Sequence, residues 1–450
     1  MNYIPHTAQD QQKMLQAVGL STPADLFSYL PDAVKLGRPL ALAPGLSEHE
    51  LIRHLENLAS KNKLATRGSF LGAGAYHHYS PSVVDTVISR SEFLTAYTPY
   101  QPEVSQGTLQ AIFEFQTMIC ELTGMDAANA SVYDGSNATV ESVLMALNTT
   151  NRTRVLVSRG VHPHTREVLK TYLAAHAVTV EELPLEDGRT VLAKVGDDAA
   201  AVLIQNPNFL GLVEDTPALM EKARAAGALG IVSVADPVSL ALLKPPGACG
   251  ADIAAGEAAP LGLPPSYGGP YVGFMACKKQ YLRRLPGRLA GLTVDSAGRR
   301  VFCLTLQARE QHIRREKAAS NICTNQGLCA LAVTSYLALV GPQGLREAAL
   351  TCLSLAESFK RRVAEIPGYR VLFSSPSFHE VAVECPVDPV ELNRKLAERG
   401  ILGGYPLAGE FPELKNAMLL CFTEVNGAAE LDNLLSDLAA LGRTLEAARG

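Results

Sequence analysis

Four stretches of this 450-residue chain hold residue types able to do chemistry. The first is Asp134-Gly135-Ser136, which the pattern places between a strand and a helix beginning near Asn137. Small residues there let backbone amides face an anion, and the helix dipole adds attraction. Gly135 and Ser136 are therefore candidate phosphate contacts, although many loops of this kind hold no ligand. The second is Asp236, straight after the apolar run 231–235. Its carboxylate suits a protonated ring nitrogen of a ligand, or it caps the following helix.

Two denser constellations follow. Residues 95–107 read TAYTPYQPEVSQG. Two Xaa-Pro bonds stiffen this segment and oppose helix. It displays two tyrosines, two glutamines and a glutamate, groups that hydrogen-bond and stack. The other constellation is 278–317, with eleven basic residues against three acidic, a net charge of +8 in a chain of net charge −5. Such a cluster favours an anionic partner, unless internal ion pairs neutralise it. Arg314 and Arg315 are expected to be its buried or interfacial members. His312, His77-His78 and His162-Pro163-His164 make poor metal ligands, because no further ligand stands at zinc-site spacing.

Strand–helix alternation positions these groups. Helices are expected over 109–123, 137–148, 163–175 and 216–226. Strands are expected over 130–133, 154–158, 178–182, 200–205, 231–235 and 253–255, with 271–276 as a last, antiparallel strand. Near-continuous apolar strands imply a sheet covered on both faces. Before it, 1–75 reads as a helical segment, with a capping box at Ser47-Glu48-His49-Glu50 and a helix over 48–60. After it, 327–450 reads as a smaller α+β domain, with long helical patterns at 328–340 and 345–366. The expected division is thus 1–75, 76–326 and 327–450.

Composition narrows the class. Hydrophobic residues make up 47% and charged residues 19%, an ordinary globular balance. A net charge of −5 argues against a general nucleic-acid binder. The amino terminus lacks a signal pattern, and the apolar run 328–340 is short for a bilayer span. Nine scattered cysteines with no Cys-x-x-Cys pair read as reduced thiols. A cytoplasmic protein that contacts neither membrane nor nucleic acid is expected.

Residues 95–107, the run 306–324 (LQAREQHIRREKAASNICT) and Tyr267-Gly268-Gly269-Pro270 together resemble the glycine cleavage system P-protein, glycine dehydrogenase (decarboxylating). The resemblance runs from the amino-terminal helices to about Gly442. It is to the amino-terminal half, which in some organisms is a separate alpha subunit, subunit 1. One departure is Ala319, where threonine is common in the family.

The resemblance implies a large-sheet aminotransferase-like fold, fold type I of the pyridoxal phosphate enzymes, with a mixed seven-stranded sheet and a smaller carboxyl-terminal α+β domain. It implies that the lysine carrying the cofactor belongs to the partner, subunit 2. The equivalent position here is about Ala259, in a stretch, 245–277, with no lysine or arginine. This chain would then supply no catalytic nucleophile and no metal ligand. It would contribute to a shared site through Tyr97, Thr98, Tyr100, Gln101, Glu103, Ser105, Gln106 and Gly107, and through Arg309, His312, Arg314, Arg315 and Asn321. With its partner it would decarboxylate glycine and pass the aminomethyl group to the lipoyl arm of H-protein. Two other readings stay open: a self-sufficient pyridoxal phosphate enzyme using Lys244 or Lys278, and a non-catalytic scaffold.

Overall fold

The structure is a computed structural model, describing residues 5–318 and 320–447. It separates into two compact units, 1–63 and 64–450. In the first, Ala8–Ala17 and Glu48–Ala59 are helices, each opened by a capping box, and neither buries a residue. At the second, Ser47 Oγ accepts from Glu50 N while Glu50 Oε2 accepts from Ser47 N at 2.9 Å. The sequence pattern dictates this helix start.

The second unit is built on seven strands: β1 (Ala127–Ala128), β2 (Arg154–Ser158), β3 (Thr179–Leu183), β4 (Ala199–Gln205), β5 (Leu229–Val234), β6 (Ile253–Glu257) and β7 (Gly273–Cys277). Their order is β1-β7-β6-β5-β4-β2-β3. Strands β2 to β6 pair parallel, and β7 runs antiparallel to β6 and β1. Every residue of β4 is buried. Val202 and Ile204 enter one core, Ala201 and Leu203 the other. Two-sided burial explains why this strand reads as a continuous apolar run.

The first strand differs from expectation. Ser131 takes φ 110°, which breaks the extended run expected at 130–133. The ladder therefore forms at Ala127–Ala128, and Val132 keeps only a single bridge to Gly273. The Asn129 side chain bridges the break, accepting from Ser131 N and Met275 N.

Helix α1 (Gln106–Thr123) buries Leu109, Ile112, Phe115 and Ile119 along one face and ends on Gly124 at φ 66°. Helix α2 (Gly135–Thr150) starts from Asp134, whose Oδ1 accepts from Asn137 N at 2.8 Å. Both begin earlier than the apolar periodicity suggests; at α2 the Asp134 cap rather than the first apolar residue sets the start. A hairpin, Ala290–Val294 with Arg300–Leu304, was hidden within the basic stretch.

Helix α3 (Gly327–Val363) bends at Gly341 (φ 59°) beside Pro342, between the two expected helical patterns. Pro342 lacks the N–H for a helical bond, and glycine accepts positive φ. Length and apolarity alone would let this helix cross a membrane. Here its apolar residues join two cores: Ala330, Val333 and Ala349 pack with the large sheet, while Ala356, Phe359 and Val363 pack beneath a four-stranded antiparallel sheet. That smaller sheet is centred on Glu380–Glu384 and Ala417–Cys421. All nine cysteines are free thiols.

Candidate functional site

The carboxyl ends of β4, β5 and β6 and the start of α2 surround a cavity of about 440 Å³. Gly135 and Ser136 line it, as expected of an anion cradle. The Gly135 amide and the Ser136 hydroxyl, however, already have partners within the chain. Gly135 N donates to Glu257 Oε2 at 2.9 Å. Ala259 N and Val272 N donate to Glu257 Oε1 at 2.9 and 2.8 Å. Ser136 Oγ bonds Thr165 Oγ1 at 2.8 Å. No lysine or arginine lines the cavity; its basic side chains are His162 and His164. Burial pushes His162 down to about 4, so it is neutral at pH 7. Burial also raises the Glu257 carboxyl, while the amides of Val272, Ala259 and Gly135 oppose that shift. Ala259, just beyond β6, is 7% exposed and offers only a methyl group.

Asp236 is not part of that lining. Its Oδ1 caps the following turn, accepting from Val238 N at 3.0 Å. Its Oδ2 accepts from His78 Nε2 at 3.1 Å, and His379 Nε2 lies 2.8 Å from the same oxygen. The latter contact is electrostatic, since the His379 N–H is not aligned on the oxygen. The opposite nitrogen of His78 meets Glu424 Oε2 at 2.7 Å. The expected ring nitrogen is thus met, but it belongs to the protein's own histidines. The sequence offered no third ligand beside His78, yet the fold places Asp236 and His379, or Cys352 and Glu424, with ligand atoms within 4.8 Å. With a carboxylate at each ring nitrogen, His78 is a protonated donor with no lone pair for a metal. Burial alone would lower its pKa; Asp236 and Glu424 overcome that and raise it to about 10. Burial would likewise raise Asp236, but His78 and His379 hold it well below the carboxylate range.

The other candidate residues converge elsewhere. Arg288, 2% exposed, donates from Nη2 to Tyr100 Oη at 2.9 Å and lies 5.3 Å from the centre of that ring. His312 approaches the Tyr100 ring edge-on at 5.8 Å. Glu310 Oε2 stands 3.9 Å from Arg288 Nε and 3.8 Å from His312 Nδ1. Residues 95–107 and 306–324, distant in sequence, thus meet around a buried guanidinium. Arg309 holds the second segment down, donating to the carbonyls of Leu285 and Gly287. Gln106 holds the first: its side-chain amide accepts from Phe302 N at 2.9 Å and donates to Phe302 O at 2.9 Å. Ser105 is the N-cap residue of α1, and Gly107 lies in its first turn. Tyr97, at 82% exposure, stands in solvent with Gln101 and Glu103, while Thr98 is half-buried.

Four buried polar atoms in this cluster lack hydrogen-bond partners: Arg288 Nε and Nη1, Arg309 Nε and Glu310 Oε1. Beside it opens a second cavity, about 510 Å³, lined by Arg283, Arg284, Arg309, Glu310 and Arg314 among others. Arg314 and Arg315, expected to be buried or interfacial, are not buried within this chain, where both are exposed. Arg288 is the buried one, because Tyr100 and Glu310 compensate its burial. Asn321 is exposed, and Ala319 lies outside the described residues. Sequence reading missed Glu257, Arg288, His379 and Glu424 as organising residues. A carboxylate ending an otherwise apolar strand was the one available signal, at Glu257.

Comparison with known proteins agrees with this architecture. The family model described as glycine cleavage system P-protein matches residues 1–438. A protein of Moorella thermoacetica named probable glycine dehydrogenase (decarboxylating) subunit 1 is 52% identical over 445 residues, covering 98% of this chain and 100% of that protein. A crystal structure of glycine decarboxylase (P-protein) of the glycine cleavage system, in inhibitor-bound form, superposes with a TM-score of 0.90 at 49% identity, covering 98% of this chain and 100% of that one. A sphingosine-1-phosphate lyase of Burkholderia pseudomallei shares the fold at 16% identity and a TM-score of 0.64, over 93% of this chain and 96% of its own. The chain belongs to the glycine cleavage system P-protein family.

Proposed function

We propose that this chain is the subunit without the cofactor-bearing lysine in a two-subunit glycine dehydrogenase (decarboxylating). With its lysine-bearing partner, subunit 2, it decarboxylates glycine and passes the aminomethyl group to the lipoyl arm of H-protein. One feature supports the assignment most: in a chain of this family, the segment just past β6 holds Ala259 at about the position we take as equivalent to the covalent lysine. Pyridoxal phosphate is the family's cofactor and acts as an electron sink for carbanions. The residues at the strand ends here do not fit it, having no lysine, no arginine and no free amide at Gly135. We assign the cofactor to the partner subunit.

The role of this chain is then to complete the partner's site. The cluster around Arg288 is the region we assign to that interface. It gathers the two constellations that mark the family resemblance, and it holds buried polar atoms that lack partners within this chain. Tyr97, Gln101 and Glu103 are placed to reach outward from it. The basic surface of Arg283, Arg284 and Arg314 suits an acidic protein, and the lipoyl-bearing H-protein is the candidate. We keep 76–326 and 327–450 as two lobes, while the arm expected over 1–75 narrows to 1–63, because Phe70 is buried in the core of the smaller sheet. We place the enzyme in the cytoplasm.

The self-sufficient reading loses support from the geometry. Lys278 donates to Asp252 Oδ1 at 2.7 Å and to Gly250 O, at the amino end of β6, opposite the cavity. Lys244 is exposed and does not line the cavity. Glycine–bicarbonate exchange tests the assignment. Exchange should be absent with this chain alone and with the partner alone, and present when they are mixed. Exchange by this chain alone would overturn it.

A further inference from the structure

We propose that Glu257 is a built-in substitute for a cofactor's anion, and that its carboxylate closes the strand-end cavity of this chain to pyridoxal phosphate. The inference rests on the assignment above only in taking the covalent lysine to be the partner's.

The start of a long helix is a ready anion site, since its first amides have no helical partner. At α2 two of these amides are taken from within. Glu257 takes the Gly135 amide, and Asp134 takes the Asn137 amide and the Asn137 side chain at 2.8 Å each. A phosphate entering the cavity would meet two carboxylates and no lysine or arginine. It would have to displace Glu257 from three backbone donors at once. Each displaced amide would need a new acceptor, because a buried unpaired donor is costly. The backbone leaves little room as well: a Cβ added at Gly135 would lie 2.8 Å from the Glu257 amide nitrogen. The loss of the lysine is therefore one of two barriers. Ala259 removes the covalent bond, and Glu257 removes the phosphate cradle. The Glu257 side chain also ties α2, the end of β6 and the start of β7 together, so it is retained for structure after the cofactor role is absent.

The test uses the full chain without its partner. Ala259→Lys and the double variant Glu257→Ala/Ala259→Lys are titrated with pyridoxal phosphate. Aldimine absorbance is read, and borohydride reduction with peptide mapping shows whether residue 259 is modified. Ala259→Lys alone should give no stoichiometric label at 259. The double variant should label there, with an apparent affinity at least about tenfold tighter, a difference near 1.4 kcal/mol. Should Glu257→Ala fail to give a cooperative melt, Glu257→Gln replaces it, removing the charge while keeping an acceptor. Stoichiometric labelling of Ala259→Lys alone would overturn the proposal. So would a folded double variant that binds no better. Both outcomes are independent of whether the unaltered chain supports exchange with its partner, so failure here is distinguishable from failure of the functional assignment.

Discussion

The strand-end cavity and the Arg288 cluster are opposite solutions to the placement of polar groups. At the strand ends, most donors and acceptors close on one another: Glu257 with three amides, Asp236 with His78 and the Val238 amide, Ser136 with Thr165, the His379 ring nitrogens being the exception. Around Arg288, the guanidinium keeps only Tyr100 as a hydrogen-bond partner, and several donors and Glu310 Oε1 stay unpaired. A self-satisfied polar network gains nothing from a visitor, whereas an unsatisfied one does. In this fold, lying where enzymes usually bind ligands is a weaker guide than having groups left to bind with.

The comparison can be broken at its most closed point. Replacing His78 with Asn should destabilise the chain by about 3–5 kcal/mol in denaturant titration, because it leaves Asp236 and Glu424 buried without their cation. The pH profile sharpens this. His78 is raised from 6.5 to about 10, so its contribution is complete below about pH 6.5 and is lost as pH rises through 10. Asp236 and Glu424 are held low, so their part is present above their ordinary range and is lost on acidification. The gap between parent and His78→Asn should therefore be widest near pH 5–6.5 and narrow toward pH 10. A gap that does not change with pH would refute the charged pairing.

At the open site, Arg288→Met should cost about 2 kcal/mol of stability, the worth of a hydrogen bond to a charged group. It should also lower exchange activity in the assembled enzyme, since it uncouples residues 95–107 from 306–324. A milder effect is expected of Tyr97→Phe. Its side chain is exposed, so the melting of the isolated chain should shift by less than about 0.5 kcal/mol. Turnover of the intact heteromer should still fall several-fold, about 1 kcal/mol for one hydrogen bond. Unchanged turnover would place Tyr97 outside the shared site and favour the scaffold reading. The smallest effect concerns salt. The KM for H-protein should rise with ionic strength while the KM for glycine changes little. Reversing Arg283 and Arg314 together should flatten that dependence. Arg299 is a weaker test, being paired with Asp295 at 2.8 Å.

The parallel strands were legible because burial on both faces leaves a run such as residues 200–205 without polar interruption. Helix 48–59 was legible from its own capping box. Residues 130–133 misled because apolar character says nothing about φ, and Ser131 turns the chain there. The hairpin at 290–304 was masked by charge, its strands being short and half exposed. At the site, local runs marked Tyr100 and His312, but nothing local marks Arg288 as the buried arginine among eleven basic residues. Glu257 and Asp236 show the same limit: each is visible as a carboxylate ending a strand, and beyond one amide two residues on, its partners come from segments 15 to 158 residues away.

Gln106 has a bearing on the chain before it finds a partner. The two-stranded hairpin exposes a free edge, and free edges recruit other strands into aggregates. Phe302 would present both its N–H and its carbonyl on that edge, but the Gln106 carboxamide occupies them as a single rung of false β-ladder. The chain is thereby spared one route to self-association.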